Sequence, residues 1–392
     1  MVTIKPQVLL AGALNWHLPK TADGYRFHNS FSQIWSSSRK IEGFTDKEKK
    51  WIWPFQVAQK PFYHFASDDK EERMRWANLR FYDSWISEQK IPSDVNVVQS
   101  PMGSCAPLFK LASESSKKIL KVFDAPNSHP KNLKKIWQTE CDKYSPGYKI
   151  PISDWALDRI ENELLDADLI LCPSIFVYDS MISHGIPHEK CFISHFGVNT
   201  TIFKKRTGTP DGIKFVVVGS LTLRKGYQYL FRAFSKLKKI YPEAELHCIG
   251  DVRPDFKKEL LKWNGLFHHY EHLKHDEVAK LLSGATAFVF PSLEEGFARV
   301  LSEAMSVGLP IITTYESGAT TVIKDKVQGL IVQSGNTDDL YEKMHTVISD
   351  PELANSIGNS AHKAGAIDNN WNDYSKRLID EFSRRINLHE NH

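Results

Sequence analysis

The stretch Phe290-Pro291-Ser292-Leu293-Glu294-Glu295-Gly296-Phe297-Ala298-Arg299-Val300-Leu301-Ser302-Glu303-Ala304-Met305 decides the fold. Before it, Ala285-Thr286-Ala287-Phe288-Val289-Phe290 is a short apolar run rich in aromatic and β-branched side chains, which predicts a buried strand stopped by Pro291. After it, Val300, Leu301, Ala304 and Met305 recur at helical spacing, so a helix begins near Ala298; Gly308 and Pro310 end it. Ile311-Ile312-Thr313-Thr314 reads as the next strand. Strand, turn, helix, strand is the repeating unit of a parallel α/β sheet. The first turn of that helix carries backbone N–H groups without intrahelical partners, and its dipole favours an anion there, with Gly296 allowing close approach to the backbone. Two carboxylates, Glu295 and Glu303, flank this point, and Arg299 shares a helical face with Glu303. The plainer alternative is that Glu294 and Glu295 cap the helix and Glu303 lies on a solvated face.

A second motif lies upstream. Ile213-Lys214-Phe215-Val216-Val217-Val218-Gly219 reads as a buried strand ending in glycine. Ser220-Leu221-Thr222-Leu223-Arg224-Lys225-Gly226 follows, then a helical stripe through Tyr229, Leu230, Phe231, Ala233, Phe234 and Leu237. Open α/β sheets bind ligands at the carboxyl ends of their strands, which places Arg224 and Lys225 where a fork and a point charge can hold a diphosphate. The loop has neither the G-x-G-x-x-G dinucleotide pattern nor a Walker A sequence. Ordinary surface cations are the alternative.

Taken together, these residues resemble the donor-binding half of glycosyltransferase family 4. The segment Gly219-Ser220-Leu221…Arg224-Lys225-Gly226 is similar to the family's Gly-(Arg/Ser)-Leu-x-x-x-Lys-Gly loop, and Pro291…Phe297 to its Pro-Ser-x-x-Glu-Gly-Phe turn. Glu295…Glu303 stands as the Glu-x7-Glu pair, Glu303 to Ile312 and Gly329 to Val332 also match, and Ala167 to Ser174, His184 to Pro187 and Phe196 to Phe203 resemble the run into the linker. The resemblance covers roughly residue 158 to the C-terminus. It implies a GT-B fold: two Rossmann-like domains facing each other across a cleft, with a C-terminal helix crossing back to the first. The expected bounds are 1–200 for the acceptor domain, a linker at 200–211, 212–370 for the donor domain, and 371–392 for the returning helix.

The resemblance also implies chemistry. Family members retain anomeric configuration and generally need no divalent metal, because protein cations carry the diphosphate. A nucleotide-diphosphate sugar is then a substrate, and no cofactor and no metal are expected. Glu295 is expected by the donor sugar and Glu303 on the nucleotide ribose; Arg224 and Lys225 hold the leaving diphosphate; Gly219, Ser220, Gly296, Phe297 and Ala298 complete the donor site. His129, in Asp124-Ala125-Pro126-Asn127-Ser128-His129, resembles a family histidine with an acid about eleven residues on, here Glu140, and is expected to face the sugar or the acceptor hydroxyl.

The departures are as specific. Ser220 stands where many members have arginine, so Arg224 is expected to supply the guanidinium. Gly296-Phe297-Ala298 replaces Gly-Phe-Gly, and Gly318-Ala319-Thr320-Thr321 has no acid. Ala13-Leu14-Asn15-Trp16-His17 stands in place of a glycine-rich acceptor loop, which makes Asn15 and His17 the acceptor-binding candidates.

The first half has its own character. Eight of the ten tryptophans precede residue 156, and most are expected in the core rather than against sugar rings. Strands are predicted at Val8–Ala11, Val95–Gln99, Ile119–Asp124 and Leu169–Cys172, with a helical stripe through Met74, Leu79, Tyr82 and Ile86. Lys47-Glu48-Lys49-Lys50-Trp51-Ile52-Trp53 mixes cations and aromatics, compatible with peripheral contact to an anionic membrane or with a solvated loop. His268, His269, His272 and His275 cluster without metal-site spacing and are expected in a surface loop.

Composition excludes other classes. A chain of 392 residues has room for two domains. Net charge of +3 gives no basic field for nucleic acid. No stretch reaches membrane-spanning length, no signal-peptide pattern opens the chain, and five scattered cysteines fit reduced thiols in the cytoplasm. The expectation is a cytoplasmic retaining hexosyltransferase, at most peripheral at the inner membrane face, that moves a sugar to a glycan, lipid-linked or other hydroxyl acceptor. Another GT-B enzyme, a phosphorylase or a nucleotide-sugar epimerase, and a non-catalytic sugar-nucleotide scaffold are the alternatives. Sugar, base, acceptor and assembly stay open.

Overall fold

The structure, a computed structural model, describes residues 4–12, 17–37, 43–51, 68–198, 202–208, 210, 212–365 and 370–390. Its first half contains β1 (Val8–Gly12), α1 (Leu18–Phe27), β2 (Phe31–Ser36), β3 (Lys49–Trp51), α2 (Asp68–Ser87), β4 (Val97–Pro101), α3 (Ala106–Ser113), β5 (Leu120–Asp124), α4 (Pro130–Tyr144), α5 (Asp154–Asp166), β6 (Leu169–Cys172), α6 (Ile175–Ser183) and β7 (Cys191–Ile193). Its second half contains β8 (Lys214–Val218), α7 (Tyr227–Lys238), β9 (Glu245–Ile249), α8 (Lys257–Leu260), β10 (His268–Tyr270), α9 (His275–Ser283), β11 (Ala287–Phe290), α10 (Arg299–Val307), β12 (Ile311–Thr314), β13 (Leu330–Val332), α11 (Thr337–Ser349), α12 (Pro351–Gly365) and α13 (Trp371–Glu390).

The strands form two parallel sheets, ordered β3-β2-β1-β4-β5-β6-β7 and β10-β9-β8-β11-β12-β13. In each, the order reverses beside the first strand, at the β1/β4 and β8/β11 pairs, which leaves a crevice at the carboxyl ends. Strands such as Phe215-Val216-Val217 and Ala287-Phe288-Val289-Phe290 are buried on both faces, as parallel strands between helix layers must be. The last helix belongs to the first half: Tyr374, Leu378 and Phe382 of α13 share a buried cluster with Val8, Leu10 and Tyr25.

The two halves touch extensively. Cys141 and Ile150 join the second core, and Phe297 joins the first. Trp137 Nε1 donates to Asp255 Oδ2 at 2.9 Å, and Glu140 accepts from Gln228 Nε2 at 2.7 Å and from Tyr229 Oη at 3.0 Å. The expected linker is anchored rather than loose where it is described. Phe203 is buried in the second core, and Arg206 donates from its backbone to the Val307 carbonyl and from its guanidinium to the Ala285 carbonyl.

Several expectations need correcting. The strands β2, β3 and β7 are additions to the expected set: β2 and β3 mix in polar residues, and β3 and β7 are three residues each, too short to show a period. The basic-aromatic segment is in part the edge strand β3: Lys50 is turned onto the Trp35 ring, 4.9 Å from its centroid, and toward Gln89, so it is not an outward-facing basic loop, while residues 52 and 53 lie outside the described residues. His268 and His269 lie in β10, not in a loop. Among the described residues no helix is long and apolar enough to cross a membrane.

Candidate functional site

The carboxyl ends of β8 and β11 open into a cavity of about 660 Å³. Its walls come from both halves. Gly219, Ser220 and Lys225 contribute from the loop after β8, and Glu295, Phe297, Ala298, Arg299, Val300 and Glu303 from the turn and helix after β11. Gly250 and Asp251 follow β9, and Glu271, His272, Leu273 and His275 follow β10. Pro126, Asn127 and Phe196 face them from the first half.

Local sequence explains the placement. Gly219 adopts φ +145, and a Cβ there would lie 2.7 Å from Lys225 Nζ, so glycine at this position makes room for the lysine. Lys225 Nζ reaches 3.5 Å from Glu295 Oε2 and sits 5.5 Å above the Phe290 ring. Arg299 is the first residue of α10, at the positive end of the helix dipole. Glu303 is one turn further on, four residues from Arg299.

The charges around the cavity are tuned by burial and by each other. Burial pushes the Glu295 carboxyl up, but Lys225 and Arg224 outweigh it and hold it below its ordinary value. Burial raises the Glu303 carboxyl despite Arg299, His275 and Lys20 nearby. Burial likewise lowers the Arg299 guanidinium, with Glu303 opposing. Lys20 of α1 feels both Arg299 and Glu303, so a cation of the first half reaches this end of the cavity. Two partly desolvated cations, Lys225 and Arg299, and a helix N-terminus therefore converge on one space, which is an arrangement for an oxyanion.

Arg224 is a correction to the sequence reading. It does not line the cavity. Its Nη1 donates to the Glu294 carbonyl at 2.5 Å and to Glu294 Oε2 at 2.7 Å, and stands 3.8 Å from Glu295 Oε2. Glu294 is wholly buried and also accepts from the first half: Ser128 N at 3.0 Å, Ser128 Oγ at 2.9 Å and Asn127 Nδ2 at 3.3 Å. A buried carboxylate needs such partners, and here they come from both sides of the cleft. Glu294 is thus a bridge between the halves. The spacing to Glu303 singles out Glu295 in the sequence, but no linear pattern gives Glu294 this role.

Gly296 also serves differently from expectation. A Cβ there would lie 1.8 Å from the Pro126 carbonyl oxygen, and its own carbonyl accepts from Ser174 Oγ at 2.5 Å. It admits the first half of the chain to the turn.

His129 does not line the cavity. It is the N-cap of α4, its Nδ1 accepting from Lys131 N at 3.3 Å, and its ring stacks on His184 with centroids 4.2 Å apart. Burial, with His184 and Lys131 adding to it, lowers its pKa to about 4. Glu140, the acid expected to accompany it, is bonded to α7 instead. His17 is buried at the start of α1, its Nε2 2.7 Å from Asp124 Oδ2, and it too is absent from the cavity wall. Asn15 lies outside the described residues.

Comparison with known proteins fits this geometry. Residues 198–364 match the family described as glycosyl transferases group 1. An uncharacterised glycosyltransferase of Methanocaldococcus jannaschii is 30% identical over 185 residues, 46% of this chain and 47% of that one. The chain spans about half the length of the curated relatives it matches. Among solved structures, a sucrose-phosphate synthase of Thermosynechococcus elongatus superposes with a TM-score of 0.71 at 14% identity, covering 97% of this chain and 100% of that one. An Anabaena protein, HepE, solved in complex with UDP-glucose, gives 0.69 at 13% identity over 96% of this chain and 99% of that one. The fold is GT-B: two Rossmann-like halves with the last helix returned to the first.

Proposed function

We propose that the chain is a retaining glycosyltransferase that moves a sugar from a nucleotide-diphosphate sugar to a hydroxyl acceptor. The observation that carries this reading is the convergence of Lys225, Arg299 and the start of α10 on a cavity also lined by Glu295 and Glu303. Breaking the bond from the anomeric carbon to the diphosphate moves negative charge onto the leaving group. Lys225, Arg299 and the N-terminal end of the α10 dipole stabilise that charge, while Arg224 acts from behind by fixing Glu294 and Glu295. Glu295, kept ionised by Lys225 and Arg224, faces the sugar, where positive charge develops at the anomeric centre. Glu303 takes the ribose hydroxyls. The loops after β9 and β10 surround the base. These protein cations do the work that a divalent ion does elsewhere, so no metal enters the transfer step. The UDP-glucose complex of the Anabaena neighbour makes uridine the first base, and a hexose the first sugar, to try.

The acceptor enters from the first half, through Pro126, Asn127 and Phe196. A glycan or a lipid-linked hydroxyl at the inner membrane face fits this reading. The test is release of nucleoside diphosphate from a panel of UDP-, GDP- and ADP-sugars, with the anomeric configuration of any product read by NMR. Turnover of one donor with retention, lost in Glu295→Ala, supports the proposal. An inverted product removes the retaining reading, and no turnover with any donor removes the transferase.

A further inference from the structure

The second sheet holds a cluster of metal-binding side chains that the transfer chemistry does not use. β9 and β10 pair in parallel at the sheet edge, with His247 in register with His268. The two-residue period of a strand puts Glu245 on the same face as His247. One ligand atom from each of Glu245, His247 and His268 lies within 4.8 Å of the others. Sequence spacing could not show this, because the donors come from two strands some twenty residues apart; His269, adjacent to His268, points to the other face and bonds the Gly250 carbonyl at 2.8 Å.

His247 is the centre of the cluster. It is 7% exposed, its Nε2 lies 3.0 Å from Glu245 Oε2, and its Nδ1 lies 3.1 Å from Tyr270 Oη. Its ring stacks on His268 with centroids 4.8 Å apart.

We propose that Glu245, His247 and His268 form a transition-metal site, with Zn²⁺ as the best-fitting ion. Metal–ligand distances near 2.1 Å put neighbouring ligands of a tetrahedral zinc about 3.4 Å apart. The Glu245–His247 pair is close to that spacing, the metal taking the place of the proton between them. His268 is exposed and closes the third position by turning its ring, and water fills the fourth. The Tyr270 hydroxyl accepts from His247 Nδ1–H, the outer contact that fixes the tautomer of a metal-bound histidine. Such an ion ties the edge strand β10 to β9. Glu271, His272 and Leu273, directly after β10, line the cavity, so the site steadies that wall from the other end of the strand.

The test uses the full chain without a polyhistidine tag, stripped with chelator and titrated with zinc chloride in a calorimeter at pH 7. Binding of about one equivalent is expected, with a rise of several degrees in Tm at saturating zinc. His268→Ala and Glu245→Gln are expected to weaken binding about tenfold or more. The metal-free Tm of His268→Ala stays at the wild-type value, because that side chain is exposed, and His272→Ala binds as wild type. Binding far below one equivalent, or equal binding by wild type and His268→Ala, overturns the proposal.

Discussion

Glu294 and Glu295 are neighbours with opposite duties, and the difference lies in what faces them. Glu295 looks into the cavity toward Lys225, whereas Glu294 is sealed among Arg224, Asn127 and Ser128. Removing one partner of a buried ion pair strands the other, at a cost of about 3–5 kcal/mol. Glu294→Ala is therefore expected to lower urea stability by that order, and Glu294→Gln, which keeps hydrogen bonds to Ser128, by less. Arg299→Gln is expected to weaken donor binding at least tenfold, because it lines the cavity. Arg224→Gln lowers Tm and affects transfer through Glu295; if Arg224→Gln abolished donor binding with Tm unchanged, the division of labour between the two arginines would be reversed. Two histidines contribute to the pH response. His129, and His195, which is half-buried with its ring 5.6 Å from that of Phe297, are lowered by burial to about 4 in the folded chain against an ordinary 6.5. Between those values the unfolded chain binds more protons, so stability rises with pH across the window and is lost as pH falls through it. His129→Asn keeps an N-cap and removes one titrating group; its urea midpoint should depend less steeply on pH between about 6.5 and 4 than that of wild type.

At the scale of elements, segments with an unbroken apolar run or a helical stripe were legible, and those interrupted by polar residues were not. The strand from Leu169 to Cys172 and the helix starting after Ala298 stand where alternation of apolar runs and caps put them. β2 and β3 were not legible because Ser-Gln and Lys-Lys dipeptides carry no strand signal, and only pairing with β1 and with each other makes them strands. Within the candidate site, Lys225, Glu295 and Glu303 share one wall because the two motifs that carry them, each local in sequence, follow β8 and β11, which pair side by side in the sheet. Asn127, Ser128 and Glu294 meet across more than 160 residues, and the zinc candidates meet across a strand pair; neither kind of contact leaves a local pattern. The Gly296 turn depends on the same long-range packing. Gly296→Ala puts a methyl group into the Pro126 carbonyl and should force the halves apart, costing about 1–3 kcal/mol. A matched loss of donor turnover in that variant would tie the turn to closure; full activity with full stability would show that the contact yields easily.

At the scale of the molecule, the cleft is built by the strand ends β8 and β11 of one sheet, by segments that follow β5 and β7 of the other, and by a helix that returns. α13 packs on α1 and contributes Tyr374, Leu378 and Phe382 to the first core. Phe382→Ala is expected to cost about 3–5 kcal/mol, measured by urea unfolding. The loss should fall on the first sheet, read from the tryptophans of the first half, before the second half unfolds. The central claim is that the cavity between the halves is a nucleotide-diphosphate site. Isothermal titration of the full chain with UDP, GDP, ADP and CMP, alongside Lys225→Ala, tests it most directly. The account predicts that one nucleoside diphosphate binds, that CMP is weaker for want of the second phosphate, and that the heat disappears in Lys225→Ala while that variant keeps a cooperative unfolding transition. No binding by any of the four, or equal binding by Lys225→Ala, would contradict it.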